Sequence, residues 1–365
     1  MTLLGPVLAI LAGIAILLTP AAAQPSRAPA APPLVGALDD PAAWTAYKTR
    51  FVTEQGRVVD TGNGGISHSE GQGYGMLLAV AANDRPVFER IWTWTRANLM
   101  VRDDQLLAWR WEPDKRPGVA DMNDASDGDL LVAWALAEAA DAWHDPSHRV
   151  AGRRIAVELG RKLILPKAAH GPVFLPAVRG FSAEDRPDGP VVNLSYWIFP
   201  AFERVPLLAP EFDWAGLSRN GRRLIAQARF GAGRLPVEWV SLAEPAPRPA
   251  DGFPAEFGYN ALRIPLYLAM AGIRDADLYA PFLALWRQPG AGLTLVDTGT
   301  GRETARLSET GYGTIPALAA CAQGGTAFPA ALTRARPESD NYYPATLHLL
   351  ALASLRSRHP ACAPR

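Results

Sequence analysis

The stretch "GGISHSEGQGYGMLLAV", residues 64–80, sets a histidine and a glutamate among five glycines and then runs into an apolar helical pattern. Glycine loses more backbone freedom on folding than any other residue. Spending it around one carboxylate implies that something large comes close to the backbone here and that Glu70 meets it. The apolar run that follows has no polar face, which marks a helix for the interior.

Five further segments share that character, each opening with polar or aromatic residues. They are "DLLVAWALAEAADAW" after Asp127, "SYWIFPAF" from Ser195, "NALRIPLYLAMAG" from Asn260, "YGTIPALAA" after Glu309 and "YYPATLHLLALAS" from Tyr342. Charged amphipathic segments alternate with them: "PAAWTAYKTRFV", "RPVFERIWTWTRANL", "HRVAGRRIAVELGRKL", "WAGLSRNGRRLIAQAR" and "DLYAPFLALWRQ". Helices with one apolar stripe belong to an outer layer, and helices apolar all round belong inside it. The expected architecture is an inner ring wrapped by an outer ring. All inner helices then run the same way, so their polar openings line one cleft. "SEGQGYG" at 69–75 and "SETGYG" at 308–313 read either as an echo of one repeated unit or as chance likeness between glycine-rich turns.

The 365 residues suffice for one large domain, and 48% hydrophobic against 20% charged residues fits a globular core. Thirty-six basic residues balance thirty-six acidic ones, so no global field draws nucleic acid. A neutral partner fits better. Residues 3–18, "LLGPVLAILAGIAILL", followed by Ala21-Ala22-Ala23, read as a signal peptide over 1–23. The missing Lys or Arg ahead of them keeps an uncleaved anchor as the rival. Residues 24–38 read as a Pro/Ala-rich linker and 39–365 as the folded domain, with a periplasmic or secreted location. Cys321 and Cys362 are the two cysteines, either paired or independent, which spacing does not decide.

Asp127 and Asp129 stand at a helix start, where caps and dipole partners are favoured in any case. EF-hand spacing and His/Cys clusters are both missing, so no metal or other cofactor is expected. Glu70 and Asp127 together are more telling. Cleaving a glycosidic bond with inversion needs a carboxylic acid for the leaving oxygen and a separate base for water. A helix N-terminus favours the anion, so desolvation and a neighbouring carboxylate must work against it for Glu70 to hold its proton.

"HSEGQGYGM" and "ASDGDLLVAWALAEAADAW" resemble the two signature segments of glycoside hydrolase family 8, in particular its members associated with bacterial cellulose synthesis. "RVVDTGNGGISHSEGQGYGMLL", "LSYW", "GYNALRIPLYLA" and "NYYPATLHLLALA" carry the likeness along most of the chain. The resemblance implies an all-α (α/α)6 barrel of six inner and six outer helices and endo-hydrolysis of β-1,4-glucan with inversion. It implies glucan chains as substrate and the cellulose synthase complex as a candidate partner. By motif, Glu70 takes the general-acid position and Asp127 the position that binds and distorts the sugar. Tyr196 falls beside the reacting centre, and Arg263 where an arginine supports the base. Trp109 and Trp111 are candidate stacking platforms and Tyr74 a candidate sugar contact, with a core role the rival for the tryptophans.

One departure matters. The family's "YDA" motif carries its base on the aspartate, whereas this chain reads "YNALR". Asn260 is a neutral amide and takes no proton from water. Either Glu238, Glu244, Asp251 or Glu256 from the preceding loop serves as base, or Asp127 does, or the protein binds glucan with little or no cleavage. On sequence alone, an aspartate at 260 should raise the rate unless another base is in place. Xylan, mixed-linkage glucan and chitosan remain alternative substrates.

Overall fold

The computed structural model describes residues 1–2, 32–287 and 292–364. The signal-peptide reading and the first part of the linker lie outside the described residues. Met1–Ala30 and Ala31–Arg365 form separate units, and all the described helices and strands belong to the second. No helix among the described residues is long and apolar enough to cross a membrane.

Eleven α-helices are described, in two kinds. The outer kind is α1 (Pro41–Phe51), α3 (Arg85–Asn98), α5 (Pro146–Leu163), α7 (Trp214–Gln227) and α9 (Ala276–Trp286). Each buries one stripe, such as Val87, Phe88, Ile91, Trp92 and Thr95 on α3. Each is also started by an aspartate, Asp40, Asp84, Asp145, Asp213 or Asp275, whose side chain accepts a backbone N–H from the first turn. That satisfies a donor that the helix itself leaves free.

The inner kind is α2 (Ser69–Ala81), α4 (Ser126–Ala142), α6 (Phe199–Arg204), α8 (Arg263–Met270), α10 (Thr314–Gly324) and α11 (Tyr342–Arg358). Helix α8 is buried on every side, and α2 at every position but Glu70. The fold is an (α/α)6 barrel. Its sixth outer position departs from the pattern: between α10 and α11 the chain makes only the 3-10 turn Ala330–Leu332, whose Leu332 carbonyl accepts from His348 Nε2 at 2.8 Å.

The glycines of the opening stretch have a different cause from the one expected. A Cβ at Gly73 would stand 2.5 Å from Leu131 Cβ, and one at Gly128 2.0 Å from Ser69 Oγ. What comes close to the α2 backbone at Gly73 is α4, and at Gly75 it is Val58 with Ile91 of α3, so these glycines set how α2 packs against its protein neighbours. A substrate is not needed to explain them. Gly64 and Gly65 differ, with φ of 65° and 70° in an open turn.

Short antiparallel strands link the helices at the rim. Val191–Asn193 pairs with Trp239–Ser241, which pairs with Arg248–Pro249. Ser67–His68 pairs with Arg110–Trp111, bringing Trp109 beside the start of α2. Part of the expected linker is packed. Ala37 and Leu38 are buried, and the Leu38 amide donates to Ala81 O at 3.1 Å. The compact chain therefore begins before residue 39. Cys321 and Cys362 are joined as a disulfide, closing a separation of 41 residues around α11.

Candidate active site

Glu70, Asp127, Tyr196, Asn260, Glu309 and Tyr343 line one open cleft of about 510 Å³. They come from the starts of α2, α4, α6, α8, α10 and α11 or from the turns just before them. The common direction expected of the inner helices accounts for this convergence. Asp60, Asn63, His68, Trp109 and Asn341 complete much of the wall.

Arg263 organises the floor. It is fully buried, and its Nη1 donates to Glu70 Oε2 at 2.6 Å and to Asp127 Oδ2 at 2.8 Å. Nη2 donates to Asn260 Oδ1 at 2.9 Å and to Ser195 Oγ at 3.2 Å. Its guanidinium also lies 5.5 Å from the centre of the Tyr196 ring. One planar cation thus fixes four polar groups from three other helix starts and its own.

These surroundings push the Asp127 carboxyl up, to about 7. Burial is the main cause. Arg263 opposes it, and the charge of Glu70 adds to it. Both acids end on the same nitrogen, so Glu70 Oε2 and Asp127 Oδ2 lie at most 5.4 Å apart, the 2.6 and 2.8 Å bonds laid end to end. An inverting acid and base stand roughly 6.5–9.5 Å apart to admit water. The arrangement suits Asp127 to holding a sugar beside Glu70 and not to activating the water.

Asn260 is tied to Glu238. The Asn260 amide donates to Glu238 Oε1 at 2.5 Å, and Asn260 Nδ2 donates to Glu238 Oε2 at 3.1 Å. The other loop acids make no such contact. Asp251 is held by Arg248 at 2.7 Å, Glu244 is exposed, and Glu256 sits part-buried behind Glu238. Burial, then the charges of Glu238 and Asp297, push the Glu256 carboxyl up. Glu238 itself is held firmly, because the next residue, Trp239, is stacked between Phe181 at 5.1 Å and Phe253 at 4.7 Å.

Two expected sugar contacts are misplaced. Tyr74 is fully buried, with its hydroxyl bonded to that of Tyr267, so it supports the floor from below. Trp111 does not line the cleft. Its ring packs edge-on to Trp94 at 5.5 Å, under the Arg57 guanidinium at 5.1 Å, and over Gly118, where a Cβ would overlap it. Trp109 does line the cleft, its Nε1 donating to Asp121 at 2.8 Å. A platform that sequence reasoning passed over is Tyr259, 44% exposed and stacked on Tyr343 at 4.8 Å. Its place next to Asn260 was the available signal.

Residues 22–356 match the description Glycosyl hydrolases family 8. This chain belongs to that family. It is 40% identical to an endoglucanase of Cellulomonas uda over 67% of each chain. It is 37% identical to a probable endoglucanase of Novacetimonas hansenii over 76% of this chain and 83% of that one. Among solved structures, endo-beta-1,4-glucanase CMCax from Acetobacter xylinum superposes with a TM-score of 0.78 at 32% identity, covering 90% of this chain and 99% of that one.

Proposed function

We propose that the protein is an endo-β-1,4-glucanase that cleaves glucan chains with inversion, with Glu70 as the proton donor. The observation that carries this reading is Glu70 itself: it stands in an open cleft at the convergence of six inner helices, with no partner for its second oxygen among the described residues. A polymer can lie across an open cleft and be cut internally. Trp109 and Tyr259 offer flat faces for its rings, and Asp127 and Tyr196 hold the ring at the cleavage point. As that bond breaks, the Glu70 proton passes to the leaving oxygen while a water attacks from the other side.

The base in this reading is Glu238. Asn260 orients the water with the N–H that it does not give to Glu238, and the Glu238 carboxylate takes the proton. The amide at 260 is then part of a two-residue arrangement and not the mark of a lost activity. The signal-like residues 3–18 and the motif resemblance support a setting outside the cytoplasm, trimming glucan near the cellulose synthase complex.

Viscometry on soluble carboxymethylcellulose tests the reading. The expected result is a fast viscosity fall with few new reducing ends, abolished in Glu70→Gln. Binding without cleavage in the unaltered protein would leave only a glucan-binding role, and a faster fall on xylan or chitosan would move the substrate.

A further inference from the structure

Every outer helix has a side-chain cap from the residue just before it, whereas among the described residues α2 is the one inner helix that does. The cap is His68, a residue that takes no part in the proposed cleavage. Its Nδ1 accepts the Gly71 N–H at 2.9 Å, and its Nε2 faces Asp60 Oδ2 at 3.3 Å. Asp60 uses its other oxygen to accept the Gly62 N–H at 3.0 Å. A continuous chain of bonds therefore runs from the glycine turn, through the imidazole, to the first turn of the helix that carries Glu70. Gly71 belongs to the arrangement, since a Cβ there would stand 3.3 Å from His68 Nδ1.

We propose that His68 is a positioning residue for Glu70, its neutral imidazole capping α2 and its protonation releasing that cap, so that the site carries its own acid-side shutoff. The proposal rests on the reading of Glu70 as the proton donor. The tautomer decides the logic. Only an imidazole without a proton on Nδ1 can accept from Gly71, so Nε2 carries the hydrogen that goes to Asp60. A second proton can go only to Nδ1, where it turns the acceptor into a donor facing another donor.

The groups facing the ring favour that second proton. They are Asp60 from the turn, Glu70 on its own helix and Asp127 at the head of α4, with Tyr342 of α11 edge-on at 5.9 Å. Positive charge near it comes from Arg57, bonded to Ser67 Oγ, from its strand partner Arg110, and from Arg263 behind the two acids. Burial disfavours the imidazolium, but the hydrogen bond to Asp60 and the three negative charges outweigh it and lift His68 above the ordinary histidine value. The cap is thus intact above that raised pKa and lost as pH falls through it. Loss begins at a higher pH than for an exposed histidine.

The test is kcat and KM against pH on carboxymethylcellulose for the wild type, His68→Ala and His68→Asn. Asparagine can cap a helix but does not titrate. We expect His68→Ala to lower kcat about tenfold with KM within about twofold, the scale of a lost cap. His68→Asn should recover most of that loss and move the acid limb to lower pH. A wild-type kcat in His68→Ala, or an unmoved acid limb in His68→Asn, overturns the proposal. Nitrogen-15 NMR of the resting protein across the His68 titration adds a readout independent of folding defects and of the role of Glu70: in the neutral ring on the alkaline side of the transition, hydrogen on Nε2 supports the cap, and hydrogen on Nδ1 rules it out. Should Glu70→Gln retain activity, the reading of Glu70 fails while the NMR result stands.

Discussion

The starts of the outer helices and the starts of the inner helices solve one problem in opposite ways. Both must deal with backbone N–H groups that a helix cannot satisfy itself. The outer ring closes each start locally with an aspartate. Among the described residues, the inner starts other than that of α2 have no cap from the residue just before them; α11 instead borrows Thr61 Oγ1 for its Tyr342 N–H at 3.1 Å, and the starts turn toward a shared cleft. Acids abound in both places, but outer acids satisfy donors and stabilise, whereas Glu70 and the buried Asp127 crowd one guanidinium at the cleft floor. Stability and function are thus separated by ring.

The largest expected effect falls on the inner side. Glu238→Gln should lower kcat by about 10²–10⁴-fold, the usual contribution of a positioned base, with little change in melting temperature. Azide in the Glu238→Ala reaction should restore turnover by replacing the water and its base together. An undiminished kcat in Glu238→Gln would remove Glu238 from the chemistry.

Stability should respond with opposite signs in the two rings. Asp84 caps α3 and also accepts from Trp44 Nε1 at 2.9 Å and Lys48 Nζ at 2.8 Å. Asp84→Ala should therefore cost about 2 kcal/mol in urea unfolding, with kcat untouched. Asp127→Asn should do the reverse. The Asp127 carboxyl is raised in the folded protein, so its contribution is most favourable below the ordinary carboxylate value and is lost as pH rises through about 7. Removing the charge should stabilise the protein at pH 8 and have little effect on stability at pH 4, while activity falls. Equal effects at both pH values would refute the assignment of that burden to Asp127.

The legibility of the sequence divides along the same line. Ring membership was readable because periodicity reports which sides of a helix are apolar. The convergence of Glu70, Asp127, Tyr196 and Asn260 followed once six inner helices shared a direction. Depth along the barrel axis was not readable. Tyr74 lies on the same helix face as Glu70 but one turn further in, and that turn takes it from wet cleft to dry core. The glycines misled for a related reason, since a close approach by α4 leaves the same signature as a close approach by a ligand. Glu238 could be named as one of four acids, but only the fold puts its carboxylate against an amide 22 residues later.

Asn260→Asp should have the smallest effect, and its smallness is informative. If the amide marked a missing base, restoring a carboxylate would raise kcat by about 10²–10⁴-fold. The geometry argues otherwise, because the new carboxylate would replace a donor 3.1 Å from Glu238 Oε2. Two carboxylates that close cannot both ionise near neutrality, so they share one proton and present one base to the water. The wild type already presents one. We therefore expect kcat at neutral pH to change by less than about threefold, with a second ionisation in the pH profile as the pair loses its shared proton. A gain of a hundredfold would show that Glu238 does not serve the water and would return the site to the reading that an amide at 260 cost the protein its base.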